Sequence, residues 1–270
     1  MTSTPDNKIE ERKGFIVIGM ISSGKSTFLN SLLGITYLES KDDVTTKFVT
    51  IIRYNETLKE PRFYHLKVIK EEAENKEKDD YYYFVKDGEE SIGEENIVKK
   101  IEYINKKEKE LKEPIYENLF YILETNIINI KNKELLKTHD FYDIPGLNEY
   151  IVSDKKENKE TNKQNKEKKE KNEGNTNPRN QQIIDYPKED MRYIKGIFKY
   201  LKKKVEKQII IFNSETYYKP QNLQIIEEIK KELNVSLYNN LVILNKIDIC
   251  EDRERTISLC RDFFVINIKS

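Results

Sequence analysis

The 270-residue sequence contains two cysteines, and Cys250 and Cys260 have neither metal-type spacing nor partners beside them. That excludes a cysteine metal centre and leaves reduced thiols in a cytosolic protein as the simplest reading. No segment approaches the ~20 consecutive apolar residues of a membrane span, and Met1-Thr2-Ser3-Thr4-Pro5-Asp6 lacks an apolar signal core. A soluble, cytoplasmic protein is expected. Net charge is also missing: 48 basic residues balance 48 acidic ones, so no global field draws nucleic acid or membrane to the chain. Arginine is scarce beside lysine, and asparagine is abundant, a skew that fits nucleotide-composition bias. The two histidines, His65 and His139, lie in or beside strand-like segments and read as structural. Apolar residues make up 37% and charged residues 36%, which is polar for a compact enzyme and implies that part of the chain is unpacked.

Between Gly19 and Ser26 the chain reads Gly-Met-Ile-Ser-Ser-Gly-Lys-Ser, a GxxxxGKS pattern. It follows the apolar run Phe15-Ile16-Val17-Ile18 and precedes the helix-like Ser26 to Leu33. A buried strand delivers such a loop, glycines let its backbone curl round an anion, and the new helix points N–H groups at phosphate. Gly19, Ser22, Ser23, Gly24 and Thr27 then belong to the cradle. Lys25 can reach the β- and γ-phosphates, and the Ser26 hydroxyl can ligate Mg²⁺. The pattern predicts binding of a nucleoside triphosphate.

Residues 1–13 are polar and are expected to form a loose arm. The globular pattern starts at Gly14. Phe63–Val68 and Tyr81–Val85 read as the arms of a hairpin, with Lys70–Asp80 as its solvated tip and Tyr81–Tyr83 as packed strand. Residues 95–110 carry Ile97, Val98, Ile101 and Ile104 at helical spacing, and Leu119–Leu123 returns to strand. From about Ser153 to Gln182 the chain is Lys, Glu, Asn and Gln with almost no apolar side chain, a composition expected to be disordered. A helix is expected over Asp190–Glu206, a strand over Gln208–Phe212, a helix over Gln221–Leu233, a strand over Leu241–Leu244 and a last helix over Arg253–Phe264. The lysine-rich face Lys199–Lys207 reads as solvated, with acidic lipid as its alternative contact. Strands that are near-continuous apolar runs, alternating with helices, predict an α/β three-layer sandwich around a mainly parallel sheet.

Two further motifs sharpen the ligand. Asp143-Ile144-Pro145-Gly146 follows a strand, which sets Asp143 at the carboxyl edge where ligands bind. Its carboxylate can hold Mg²⁺ there, and the Gly146 amide can approach a γ-phosphate with no Cβ in the way. In Asn245-Lys246-Ile247-Asp248, the Asp248 carboxylate can accept two hydrogen bonds from guanine N1–H and its exocyclic amine, a pattern adenine does not offer. The Asn245 amide and the Lys246 stem are expected to complete the base pocket. GTP and GDP are the expected ligands, and an ATPase is disfavoured by Asp248.

Ile18 to Thr27, Thr46-Lys47-Phe48-Val49, Asp143-Ile144-Pro145-Gly146-Leu147 and Asn245–Asp248 together resemble the N-terminal GTPase (G) domain of the dynamin superfamily, over roughly Gly14 to Phe264. The double serine before Gly24-Lys25, the long stretch from Thr46 to Asp143, and Leu147-Asn148-Glu149 in place of a glutamine set the chain apart from small Ras-like GTPases. The resemblance implies a P-loop NTPase sandwich in its enlarged dynamin form, hydrolysis of GTP to GDP and phosphate, and a nucleotide-dependent dimer of G domains. It implies that Thr46, or its neighbour Thr45, is the switch threonine that closes on Mg²⁺ and positions water. It also implies that Ser22 helps hold a monovalent cation, K⁺ or Na⁺. Lys25 and Gly146 complete the implied catalytic set.

The chain departs from the family at Ile21, where dynamin has glutamine; isoleucine cannot hydrogen-bond to water or to a facing subunit. No base-stacking loop of the fifth G-motif type stands out in Val265–Ser270. The superfamily continues into a helical stalk that drives assembly on membranes, whereas this sequence stops soon after the last G-domain helix. That implies a fragment or a stand-alone G domain, with membrane association indirect. The rival reading is a guanine-nucleotide-binding interaction module that has lost turnover.

Overall fold

Phe15-Ile16-Val17-Ile18 form the middle of strand β1 (Lys13–Gly19). Ile16, Val17 and Ile18 are consecutive and all at most 1% exposed. Successive side chains of a strand point to opposite faces, so both faces of the sheet are covered here. The computed structural model describes residues 7–20, 22–38, 48–71, 81–109, 116–126, 133–146, 188–214, 241–246, 252 and 254–258. The strands after β1 are β2 (Val49–Tyr54), β3 (Arg62–Glu71), β4 (Tyr81–Ile92), β5 (Phe120–Thr125), β6 (His139–Asp143), β7 (Val205–Asn213) and β8 (Leu241–Asn245). They form one eight-stranded sheet in the order β4-β3-β5-β2-β6-β1-β7-β8. The pairs β1–β6, β1–β7, β7–β8 and β2–β5 are parallel. The β2–β6, β3–β5 and β3–β4 pairs are antiparallel. The expected mixed α/β fold with a mainly parallel sheet is present.

Helix α1 (Lys25–Leu33) leaves the first loop and ends at Gly34, which takes a left-handed φ of 68°. It buries Leu29 and Leu33, one turn apart, against the sheet. Helix α2 (Glu94–Lys109) buries Ile97, Ile101 and Ile104 and carries Glu94 and Glu95 in its first turn, where carboxylates favour the helix dipole. The short α3 (Lys133–Thr138) was not foreseen; it covers the sheet with little more than Leu136. Helix α4 (Lys188–Leu201) packs through Ile197, Phe198 and Leu201. Among the described residues no helix is long and apolar enough to cross a membrane.

Three expectations change. Helix α4 ends at Leu201, not Glu206. The amide of Lys202 makes a helical bond to Phe198 O, that of Lys204 turns back onto Leu201 O, and Val205 enters β7. Val205 sits one helical turn past Leu201, so it satisfied the helical period although its burial is that of a strand. Strand β4 continues beyond Val85 to Ile92 through the polar Lys86–Ser91, held by β3 and by ion pairs from Lys86 and Arg62 to Glu90. The arm is not loose over residues 7–12. Lys8 bridges to Val85, Ile9 N donates to Phe84 O, and Ile9 packs on the core. Arg53 holds this segment from inside the sheet, donating to the Glu10 carbonyl and, through two nitrogens, to Asp140 at 3.0 and 2.7 Å.

The histidines are structural, as expected. His65 lies between Asp87 and the Asn118 carbonyl, and His139 stacks on Phe15. The hairpin tip 72–80, the tract 153–182, the expected helix 221–233 and most of the last helix lie outside the described residues.

Candidate functional site

The loop from Gly19 to Lys25 stands at the carboxyl end of β1, between the ends of β6 and β7. A Cβ at Gly19 would come within 2.6 Å of both Ser23 Oγ and the Ile211 carbonyl, so only glycine lets the strand turn this tightly. Gly24 caps α1 with φ 89°. Lys25 opens the helix at 7% exposure and donates to the carbonyls of Gly19 and Met20, each at 3.2 Å. Its ammonium is thus folded over the loop that it would share with a phosphate. Ser22 is exposed with φ 56°, Thr27 is exposed on the first turn of α1, and Ser23 is buried.

Asp143 ends β6 completely buried. One carboxylate oxygen accepts a long 3.4 Å bond from Ser26 Oγ, and the other, Oδ1, has no hydrogen-bond partner among the described residues. Burial pushes the Asp143 carboxyl up to about 6, against the opposing pull of Lys25 and the Ser26 hydroxyl. A buried carboxylate oxygen without a donor is costly unless a cation or another ligand meets it. A hydroxyl and a carboxylate, both hard oxygen donors, fit Mg²⁺, which usually takes one or two carboxylates and completes its shell with water and substrate phosphates. Gly146, three residues on, is buried.

Asn245 ends β8. Its amide nitrogen donates to Ser23 O at 2.8 Å, so it braces the phosphate loop. The next residue, Lys246, takes a left-handed φ of 60°. That turn is held by Ser214, just past β7: its amide donates to Asn245 O at 3.0 Å and its hydroxyl to Lys246 O at 2.8 Å. Ser214 escaped the sequence reading. Its signal is weak, a small polar residue two positions beyond Ile209–Phe212 at the level of the neighbouring motif. The site thus brings together Gly19, Ser22, Ser23, Gly24, Lys25, Ser26, Thr27, Asp143, Gly146, Asn245 and Lys246. Thr45, Thr46, Ile21 and Asp248 lie outside the described residues.

A glycine loop at the end of a buried parallel strand, a lysine and serine opening the next helix, and a strand-end aspartate beside that serine define a P-loop nucleotide-binding α/β protein. The dynamin family model matches residues 15–247, and the chain belongs to that family; its matched region is a dynamin-type G domain, a class that binds guanine nucleotides. No curated protein matches. Two chains from work on an oligomerised bacterial dynamin pair, described as a mechanism for long-range sensing and tethering of membranes, are similar to it at 17% and 16% identity, each with a TM-score of 0.34. Each likeness covers 94% of this chain and 34% of the other, so the chain spans about a third of their length.

Proposed function

We propose that this G domain binds GTP and hydrolyses it to GDP and phosphate. The carrying observation is the convergence at one strand edge of Lys25, Ser26 and buried Asp143, whose Oδ1 meets no hydrogen-bond partner among the described residues. Ser26, Asp143 and Thr46 would hold Mg²⁺, which neutralises charge on the β- and γ-phosphate oxygens. Lys25 would exchange the Gly19 and Met20 carbonyls for phosphate oxygens, and the Gly146 amide would face the γ-phosphate. Ser22 would take a monovalent cation, K⁺ or Na⁺. Thr46 would place the water whose oxygen bonds to the γ-phosphorus as the bond to the β–γ bridging oxygen breaks, with the water's proton released to solvent. Asp248 would read guanine, with the Lys246 stem against the base. Catalysis rests on positioning and charge. Pairing of two G domains in the nucleotide-bound state, and a cytoplasmic location, belong to the same reading.

Ile21 favours the second reading, a guanine-nucleotide-binding module without turnover. Phosphate release in Mg²⁺ with K⁺ or Na⁺ separates the two. Release above a Lys25→Ala control supports the enzyme, and equality with it supports the module. Base choice is tested separately by competition of GTP, XTP and ATP. Asp248→Asn turns an acceptor into a donor facing a donor, so GTP affinity should fall roughly tenfold to a hundredfold while XTP improves.

A further inference from the structure

Strands β7 and β8 end together, with Asn213 opposite Asn245 in a parallel pair. One residue further on, Ser214 is buried, at 4% exposure. Its amide donates to Asn245 O at 3.0 Å, and its hydroxyl donates to Lys246 O at 2.8 Å. One residue thus holds two successive carbonyls. Between those carbonyls Lys246 takes φ 60°, a region in which the Cβ of an L residue crowds its own backbone. Such a conformation persists where its surroundings fix it. The amide bond extends the ladder, whereas the hydroxyl bond reaches the residue beyond the strand. Asn245 and Lys246 also divide between the two halves of the site. Asn245 braces the phosphate loop through Ser23 O, and Lys246 continues the motif read as the base pocket.

We infer that Ser214 is a positioning residue for base recognition: its hydroxyl fixes the Lys246 backbone and so aims the lysine stem at the face of a bound purine. The inference rests on the guanine-nucleotide reading of Asn245–Asp248 and gives Ser214 no contact with the nucleotide. A four-carbon stem covers a flat ring well when its root is fixed, because a mobile root spreads the stem over orientations that miss the ring. Without the hydroxyl, Lys246 O loses a donor in a partly buried turn, and Lys246 is free to return to a negative φ. The stem then leaves the base. The bond from Asn245 to the loop is made by a different side chain and stays. Ser214 therefore acts on the part of the affinity that comes from the base, not on the part that comes from the phosphates.

The test is calorimetry of the full chain with GDP, ADP and inorganic tripolyphosphate, each with Mg²⁺. Wild type should prefer GDP to ADP. Ser214→Ala should lose roughly tenfold in GDP affinity, the size of one hydrogen bond with the carbonyl it leaves unmet. Its tripolyphosphate affinity should equal that of wild type, which also shows that the variant is folded. Ser214→Thr keeps the hydroxyl and should bind GDP as wild type does. Equal losses for GDP and tripolyphosphate in Ser214→Ala would make Ser214 a support of the whole site and overturn the inference. An unchanged GDP affinity in that variant, beside a wild type that prefers GDP, overturns this inference alone. A wild type that binds GDP no better than ADP overturns the guanine reading and this inference with it.

Discussion

Asn245, at the end of β8, donates its side-chain amide to the carbonyl of Ser23 at 2.8 Å, joining residues 222 positions apart in sequence. The strand that leads to the base-reading motif thus holds the loop meant for phosphate. Asn245→Ala should weaken fluorescent GDP binding by roughly fivefold to tenfold, the worth of one partly buried hydrogen bond and the carbonyl it leaves unmet. Unchanged affinity would make the contact incidental.

Gly24 packs directly under that amide. A Cβ there would come within 2.2 Å of Asn245 Nδ2, on a backbone at φ 89°. Gly24→Ala should cost about 1–3 kcal/mol of stability. Removing the asparagine side chain relieves the clash and leaves only the backbone strain. A double-mutant cycle by urea denaturation should therefore give Gly24→Ala/Asn245→Ala a smaller loss than the sum of its parts.

Asp143 gives a pH dependence whose sign is set by its raised value of about 6 against an ordinary 3.8. The folded chain holds this proton more tightly than the unfolded chain. Below ~pH 4 the carboxyl is neutral in both states. Between ~pH 4 and ~pH 6 only the unfolded chain ionises, and stability falls as pH rises. Above that window the full cost of burying the charge is present, at most roughly 3 kcal/mol. Nucleotide-free Asp143→Asn should therefore be more stable than wild type at pH 7, and the gap should close by ~pH 4 in parallel thermal melts. The same variant should lose the Mg²⁺ dependence of GTP binding.

Arg53→Ala should be among the most damaging substitutions. It strands the carboxylate of Asp140, 2% exposed at the side chain, and releases the Glu10 carbonyl. Removing one partner of a buried pair typically costs 3–5 kcal/mol, roughly the size expected here in urea denaturation. Arg53→Lys should recover only part of it, since one ammonium cannot reproduce the two-nitrogen grip.

The phosphate loop was legible because strand, glycines, lysine and serine are contiguous, and a contiguous pattern carries its own geometry. The apolar strands β1, β5 and β7 were readable for the same reason: burial on both faces writes itself as an unbroken apolar run. The polar end of β4 was not, because Lys86–Ser91 is held by backbone pairing and by Glu90, neither of which leaves a periodic trace. The docking of residues 7–12 depends on Arg53, Asp140 and Lys204, partners that only the folded chain brings near. The bond from Asn245 to Ser23 was not legible, since a contact between residues so far apart in sequence leaves no local pattern, whereas the spacing to Asp248 does.

Strand β2 runs against β6, and Thr50 faces Asp143 across that ladder. The chain therefore enters β2 and leaves β6 at the same rung, so the stretch carrying Thr46 and the stretch beyond Gly146 depart from adjoining hydrogen bonds. Fraying of that rung would loosen the start of β2 and the end of β6 together. Amide hydrogens of Val49–Ile51 and Phe141–Asp143 should exchange with deuterium at matched rates, and a bound nucleotide should slow both by the same factor. Two strand ends distant in sequence would then open on one clock.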